Sequence, residues 1–175
     1  MKLNWSHAVL NARNLEQMLN FYTSVMGFTV TDRGPMGPPN APDIVFLSNS
    51  HDEHHQIAMV QLRDESSSTS LNHLAFRVES FAEVKEMSQR LQANKTDILP
   101  LSHGNTLSLY FSDPEQNGIE VFWDTPWHVD QPQGAVWDTG LDEAAALKFV
   151  EDTFKEEPSF VRREDCQKTF VNRPA

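Results

Sequence analysis

"SHAVLNARNLEQMLNFYTSVMGF" (6–28) and "NHLAFRVESFAEVKEMSQRLQAN" (72–94) are two copies of one pattern. Laid over each other at a spacing of 66 (73 − 7), they align His7 with His73, Leu15 with Phe81 and Met18 with Val84. Phe21 then falls on Met87, and Val25 on Leu91. Each copy opens as a short apolar strand carrying one histidine. It turns at Asn14 or Ser80, residue types that cap helix N-termini, and continues as a helix with one apolar face. Repetition on this scale marks a structural unit used twice.

Three strands are expected after each helix. In the first copy they are 28–32, 43–48 and 54–62; in the second, 97–101, 107–112 and 118–123. Stretches rich in strand-breaking residues separate them: "GPMGPPNAP" (34–42), "HGN" (103–105) and "DPEQNG" (113–118). The linker "RDESSSTS" (63–70) divides the copies. The fold class predicted is α+β, with βαβββ modules at 1–63 and 71–125 making one domain over 1–126. Paired, the two modules form an open barrel-like sheet around a metal site. Residues 127–175 read as a C-terminal helical arm. It holds a helix over 141–154 and a shorter one after Pro158, serving as a cover, a subunit contact or a lid.

Alternation along the strands sorts the side chains by face. Leu74, Phe76 and Val78 make the greasy face for the helix, while His73 shares the opposite face with Leu71, Ala75 and Arg77. The same parity puts His7 with Trp5 and Val9. Glu120 sits among apolar residues of the last strand, where an unpaired charge is costly. Shifted by 66 it lands on His54, next to His55. First and last strands of both modules thus carry a potential ligand. His7, His73 and Glu120 are assigned to a metal. Two imidazoles and one carboxylate suit Fe(II), with Mn(II), Co(II) and Zn(II) as alternatives. His7 taken alone is as readily a hydrogen-bonded core histidine; its repeat mate and Glu120 favour the ligand. His54 and His51 are read as surface residues and His128 as structural. Tyr110 lies on a polar strand face with Ser108 and Ser112, next to the turn that His103 opens.

Composition sets limits. A net charge of −11 argues against nucleic acid or an anionic membrane as partner. The single cysteine, Cys166, excludes an intrachain disulfide and fits a cytoplasmic location. No apolar run approaches the roughly 20 residues of a bilayer span. Nor does the first stretch have the apolar core of a signal peptide.

The two-module pattern resembles the vicinal oxygen chelate superfamily, which includes glyoxalase I, fosfomycin-resistance enzymes and type I extradiol dioxygenases. "YFSDPEQNGIEVFWDTPW" resembles its final-strand motif, whose usual turn is Asp-Pro-x-Gly-Asn; "DPEQNG" varies that turn. "HHQIAM" (54–59), "SHGNTLSLY" (102–110) and Tyr110, ten residues before Glu120, resemble small catechol 2,3-dioxygenase-like members. That resemblance implies Fe(II), dioxygen as co-substrate and a small aromatic diol as substrate. It makes His55 the acid–base residue, with Tyr110 and His103 bonding substrate oxygens and intermediates. Trp5, Val9, Met59 and Phe122 would form an apolar wall, and a homo-oligomer, dimer or higher, is expected. Two rivals have other needs. A metal-dependent isomerase or transferase wants a fourth ligand at 54–56 and, for an anionic antibiotic, a basic pocket. A non-enzymatic binding module wants neither metal nor ligands.

Overall fold

The computed structural model describes residues 4–38, 40–68 and 71–166. Both predicted caps form. Asn14 Oδ1 accepts the Gln17 N–H at 3.1 Å and starts helix α1 (Leu15–Ser24), which follows strand β1 (Ala8–Asn11). Ser80 and Glu83 bond reciprocally and start helix α2 (Phe81–Ala93). Such a capping box satisfies backbone donors that a helix start would otherwise leave open. The chain divides into two compact units, Met1–His73 with Ser112–Gly118, and Leu74–Phe111 with Ile119–Ala175.

In the first unit, strands β2 (Thr29–Pro35), β3 (Asp43–Ser48) and β4 (Ile57–Val60) complete a sheet of order β1-β4-β3-β2. β1 runs parallel to β4, and the other pairs are antiparallel. Register sorts the faces. Leu10 lies opposite Met59, which lies opposite Val45, and all three are buried, as is the α1 stripe Leu15, Met18, Phe21 and Tyr22. Val9, Ala58 and Phe46 alternate with them on the other face. Met59 therefore lies opposite to Val9 and cannot join it in a common wall.

The strand expected over 54–62 is shorter. β4 begins at Ile57, three residues past His54 (57 − 54), because residues 48–56 satisfy their backbone locally. Gln56 Oε1 takes the Asn49 N–H at 2.9 Å, and Ser48 Oγ takes that of Ser50 at 3.1 Å. The equivalence of position 54 with Glu120 thus fails in the structure. Glu120 is inside its strand, while His54 and His55 precede theirs.

The turn Ser112–Gly118 belongs to the first unit although it falls in the second sequence copy. Glu115 Oε1 accepts the Arg13 and Asn14 N–H groups at 2.6 and 2.8 Å, and Arg63 lies 3.5 Å from Oε2. Asp113 accepts from Glu115, Asn117 and the Tyr22 hydroxyl. Burial pushes the Asp113 carboxyl up, opposed by these bonds. In this turn Gln116 stands where the family pattern has glycine, and it keeps a φ of 65°. A left-handed conformation costs a side-chain-bearing residue about 1–2 kcal/mol, partly offset by the extra unfolded-state freedom of glycine. Gln116→Gly should therefore raise stability by about 0.5–1 kcal/mol, read as a higher urea midpoint; a lower midpoint would show no strain at Gln116. Gly118 ends the turn against Asn72 and His73, where a Cβ would strike the Asn72 carbonyl.

The second unit holds α2 with strands β5 (His73–Val78), β6 (Leu99–Ser102), β7 (Thr106–Ser112) and β8 (Gly118–Asp124), of which His73, Ser112 and Gly118 lie in the first unit. Its sheet order is β10-β6-β7-β8-β5, with β10 the short strand Ala135–Val136. Without the added β10 it repeats the first sheet, so the sequence repeat is also a repeat of topology. Leu107, Leu109, Ile119 and Val121 are buried, and Trp123 meets Phe81 of α2 edge-on at 5.7 Å. Tyr110, Glu120 and Phe122 alternate with these on the opposite face.

The C-terminal extension is less helical than expected. Strand β9 (Trp127–His128) pairs with β11 (Val161–Arg162), and β10 (Ala135–Val136) joins the sheet at β6. Helix α3 (Glu143–Phe154) is the predicted one. The second predicted helix is replaced by β11 and a 3-10 turn over Arg163–Asp165, because Trp127 sits between Phe160 and Arg162 and draws that segment out as a strand. Its remainder, 167–175, lies outside the described residues. Among the described residues no helix is long and apolar enough to cross a membrane.

Candidate functional site

Within the first unit, the histidines gather beside the face carrying Val9 and Phe46. His7 immediately precedes β1, and its ring lies 4.4 Å from that of His55. The His55 ring also packs on Phe46 at 4.9 Å, and its Nδ1 lies 2.9 Å from His54 Nδ1. Burial first, then the neighbouring imidazoles His7 and His54, hold the His55 pKa below its usual value. A neutral imidazole is the form that can accept a proton at pH 7. His54 is exposed, as expected, and His51 is exposed in the preceding loop. Phe46 adds to the predicted residues here, and its alternation with buried Val45 and Leu47 is the signal the sequence carries for it.

Within the second unit, three predicted residues form one hydrogen-bonded chain. His103 Nε2 lies 3.0 Å from the Tyr110 hydroxyl, and Tyr110 is also bonded to the Glu120 carboxylate. Burial, then the bond to Glu120 and its charge, raise the Tyr110 pKa, so its hydroxyl stays protonated. His103 occupies the β6–β7 turn next to Gly104, whose φ is +75°. A Cβ at Gly104 would run into Val129 and Phe154 of the extension. Ser108 is buried, its hydroxyl lies 3.1 Å from that of Thr106, and its carbonyl accepts the Trp137 indole N–H at 3.1 Å. Arg77 lies over the Phe122 ring at 5.3 Å and pairs with Asp124 at 3.1 Å. His128 Nε2 lies 3.3 Å from Asp130 Oδ1.

The donor set fits a divalent metal in its chemistry. Asn72 Oδ1 lies 2.7 Å from His73 Nδ1. A carbonyl oxygen only accepts, so Nδ1 carries the proton and the lone pair sits on Nε2, a nitrogen that can ligate a metal. His7 Nδ1 lies 3.0 Å from Ser6 Oγ, a hydroxyl that can give or take the proton, so this contact does not fix the His7 tautomer. Glu120 is 7% exposed, and a carboxylate so placed gains from a cation. Among the described residues no three His, Cys, Asp or Glu side chains form a preassembled metal-holding group. The fit therefore rests on donor type and on the His73 tautomer. Of the expected wall, Trp5 and Val9 are largely exposed, and Phe122 is half-buried beneath Arg77.

Known proteins share this organisation. A catechol-2,3-dioxygenase of Bacillus subtilis (strain 168) is 32% identical over 139 residues, 76% of this chain and 47% of that protein. A biphenyl-2,3-diol 1,2-dioxygenase of Rhodococcus globerulus is 28% identical over 123 residues, 66% of this chain and 60% of that protein. The chain thus spans about half to three-fifths of these relatives. Among solved structures, a fosfomycin resistance protein from Listeria monocytogenes, complexed with Mn(II) and sulfate ion, superposes with a TM-score of 0.56 at 21% identity. That match covers 71% of this chain and 95% of that one. A glyoxylase/bleomycin resistance protein/dioxygenase domain from Frankia sp. EAN1pec gives a TM-score of 0.57 at 19% identity, over 71% and 94% of the two chains. These two likenesses show the fold. The model of the Glyoxalase/Bleomycin resistance protein/Dioxygenase superfamily matches residues 5–121, well over half of the sequence, and the chain belongs to that superfamily.

Proposed function

We propose that this protein cleaves the ring of a catechol-type diol in the extradiol position, using dioxygen at Fe(II) held by His7, His73 and Glu120. The observation that carries the reading is the His103–Tyr110–Glu120 chain, which joins a protonated hydroxyl donor to the candidate carboxylate ligand. Similarity to two diol dioxygenases supports it, and so does the pairing of Arg77 with Asp124. The second sheet's candidate cation is thereby occupied, which disfavours an anionic antibiotic as substrate. Bound by this donor set, ferrous iron would hold the reactants together and supply the electron transfer that lets dioxygen react with a closed-shell diol.

The chain's own residues supply positioning and proton traffic. His55, neutral at pH 7 and engaged at Nδ1 by His54, takes a diol proton at Nε2 and later returns it to oxygen as the ring opens, so that both atoms of dioxygen end in the product. The Tyr110 hydroxyl donates to substrate oxygen, and His103 holds that hydroxyl in place. Phe46 and Val9 offer apolar surface to the ring. A small aromatic diol as partner and a homo-oligomer belong to the same reading.

The test is direct. Protein loaded anaerobically with ferrous iron is exposed to dioxygen and a panel of substituted catechols. Ring-fission absorbance should appear with equimolar dioxygen uptake. Iron-loaded protein that produces neither signal with any catechol would overturn the reading.

A further inference from the structure

We propose that the segment Gln131–Trp137 is a positioning element of the site, in which Gln131 presents the Gln133 carbonyl to His103 and so fixes its imidazole as the Nδ1–H tautomer. The segment lies outside the residues matched by the superfamily. The proposal rests on reading the His103–Tyr110–Glu120 face as the reaction site, but its geometry stands by itself. The Gln133 carbonyl lies 2.6 Å from His103 Nδ1. A carbonyl has no proton to give, so Nδ1 must donate. In the neutral ring Nε2 then holds a lone pair, and it faces the Tyr110 hydroxyl at 3.0 Å.

Gln131 makes this arrangement specific. Its Nε2 donates to the His103 carbonyl at 2.8 Å, and its Oε1 accepts the Gln133 N–H at 3.0 Å. One side chain thus ties the backbone of the histidine to the backbone that carries the acceptor. Downstream the segment is held again: Ala135 pairs with Ser102 and Val136 with Leu101. The buried Trp137 then donates its indole N–H to the Ser108 carbonyl at 3.1 Å. The acceptor for His103 is therefore fixed on both sides, upstream by Gln131 to the β6–β7 turn and downstream to β6 and β7.

The choice of tautomer matters because one hydroxyl proton on Tyr110 faces two acceptors, His103 Nε2 and the Glu120 carboxylate. With the proton on Nδ1, Tyr110 is shared between them. With the proton on Nε2, the ring would become a donor and Tyr110 would be committed to Glu120 alone. A segment added to the superfamily core thus governs the hydrogen bonding of a residue inside it.

Long-range ¹H–¹⁵N NMR of the metal-free full chain reads the tautomer, at pH about 8, above the ordinary histidine pKa of about 6.5. His103→Asn identifies the resonances by their loss. The wild type should show a proton-bearing Nδ1 and a lone-pair Nε2 at His103. In Gln131→Ala that split should collapse toward a mixed-tautomer average, whereas Gln133→Ala, which keeps the carbonyl, should retain it. A wild-type ring protonated on Nε2 would overturn the proposal, as would a Gln131→Ala spectrum identical to wild type. Neither readout uses catechol. Failure of ring cleavage with the tautomers as stated would remove the dioxygenase reading and leave the positioning role standing.

Discussion

Glu120→Gln should reduce tightly bound divalent metal to well below one per chain while the second unit stays folded. Glutamine has the same size and keeps an acceptor for the Tyr110 hydroxyl, so the packing between Ile119 and Val121 is preserved. What is lost is the charge. His7 and His73 contribute only neutral imidazoles, and the −11 of the whole chain is no substitute for a carboxylate in contact with the cation. The effect has two readouts. Metal content after gel filtration should fall. The thermal shift produced by added metal should also vanish. Metal at 100 times its dissociation constant stabilises the wild-type fold by about 2.7 kcal/mol through mass action. A variant that keeps full stoichiometry and the same shift would remove Glu120 from the ligand set.

Much of this was legible in the sequence because the repeat is a repeat of packing. His7 and His73, Asn14 and Ser80, and the apolar stripes of α1 and α2 all sit where the spacing of 66 puts them. The spacing failed at the last strands for a local reason. Side chains of Ser48, Ser50 and Gln56 satisfy the loop before β4, so His54 and His55 are loop residues. No periodicity encodes that substitution of side-chain for ladder bonds. The Tyr110–Glu120 contact was readable as two polar residues on alternating positions of adjacent strands. The acceptor on Gln133 was not, because a backbone carbonyl leaves no mark in the residue type. Nor was the fate of Pro158–Asp165, which depends on Trp127 stacking with Phe160 and Arg162 rather than on helix propensity. The face of Met59 is not legible in the sequence, because β4 is buried along its whole length and its burial does not alternate.

His55→Gln separates proton transfer from metal binding. If His55 is the acid–base group, the variant should bind iron like the wild type and lose turnover by about 10²–10⁴-fold, the usual contribution of such a group. Catechol affinity should change little, since under this reading both diol oxygens are held elsewhere. Glutamine also keeps some contact with Phe46, so a collapse of the loop before β4 is not the expected cause of the loss. The opposite outcome is equally informative. The His55 ring lies 4.4 Å from that of His7, close enough for both to serve one cation. Were His55 a fourth ligand, iron content and turnover would fall together, and the site would suit a metal-dependent isomerase better than a dioxygenase that needs open coordination positions. The decisive comparison is therefore iron content and turnover measured on one preparation. Full turnover in that preparation would sink the catalytic assignment, because proton transfer would then run without the imidazole that packs 4.4 Å from the His7 ring.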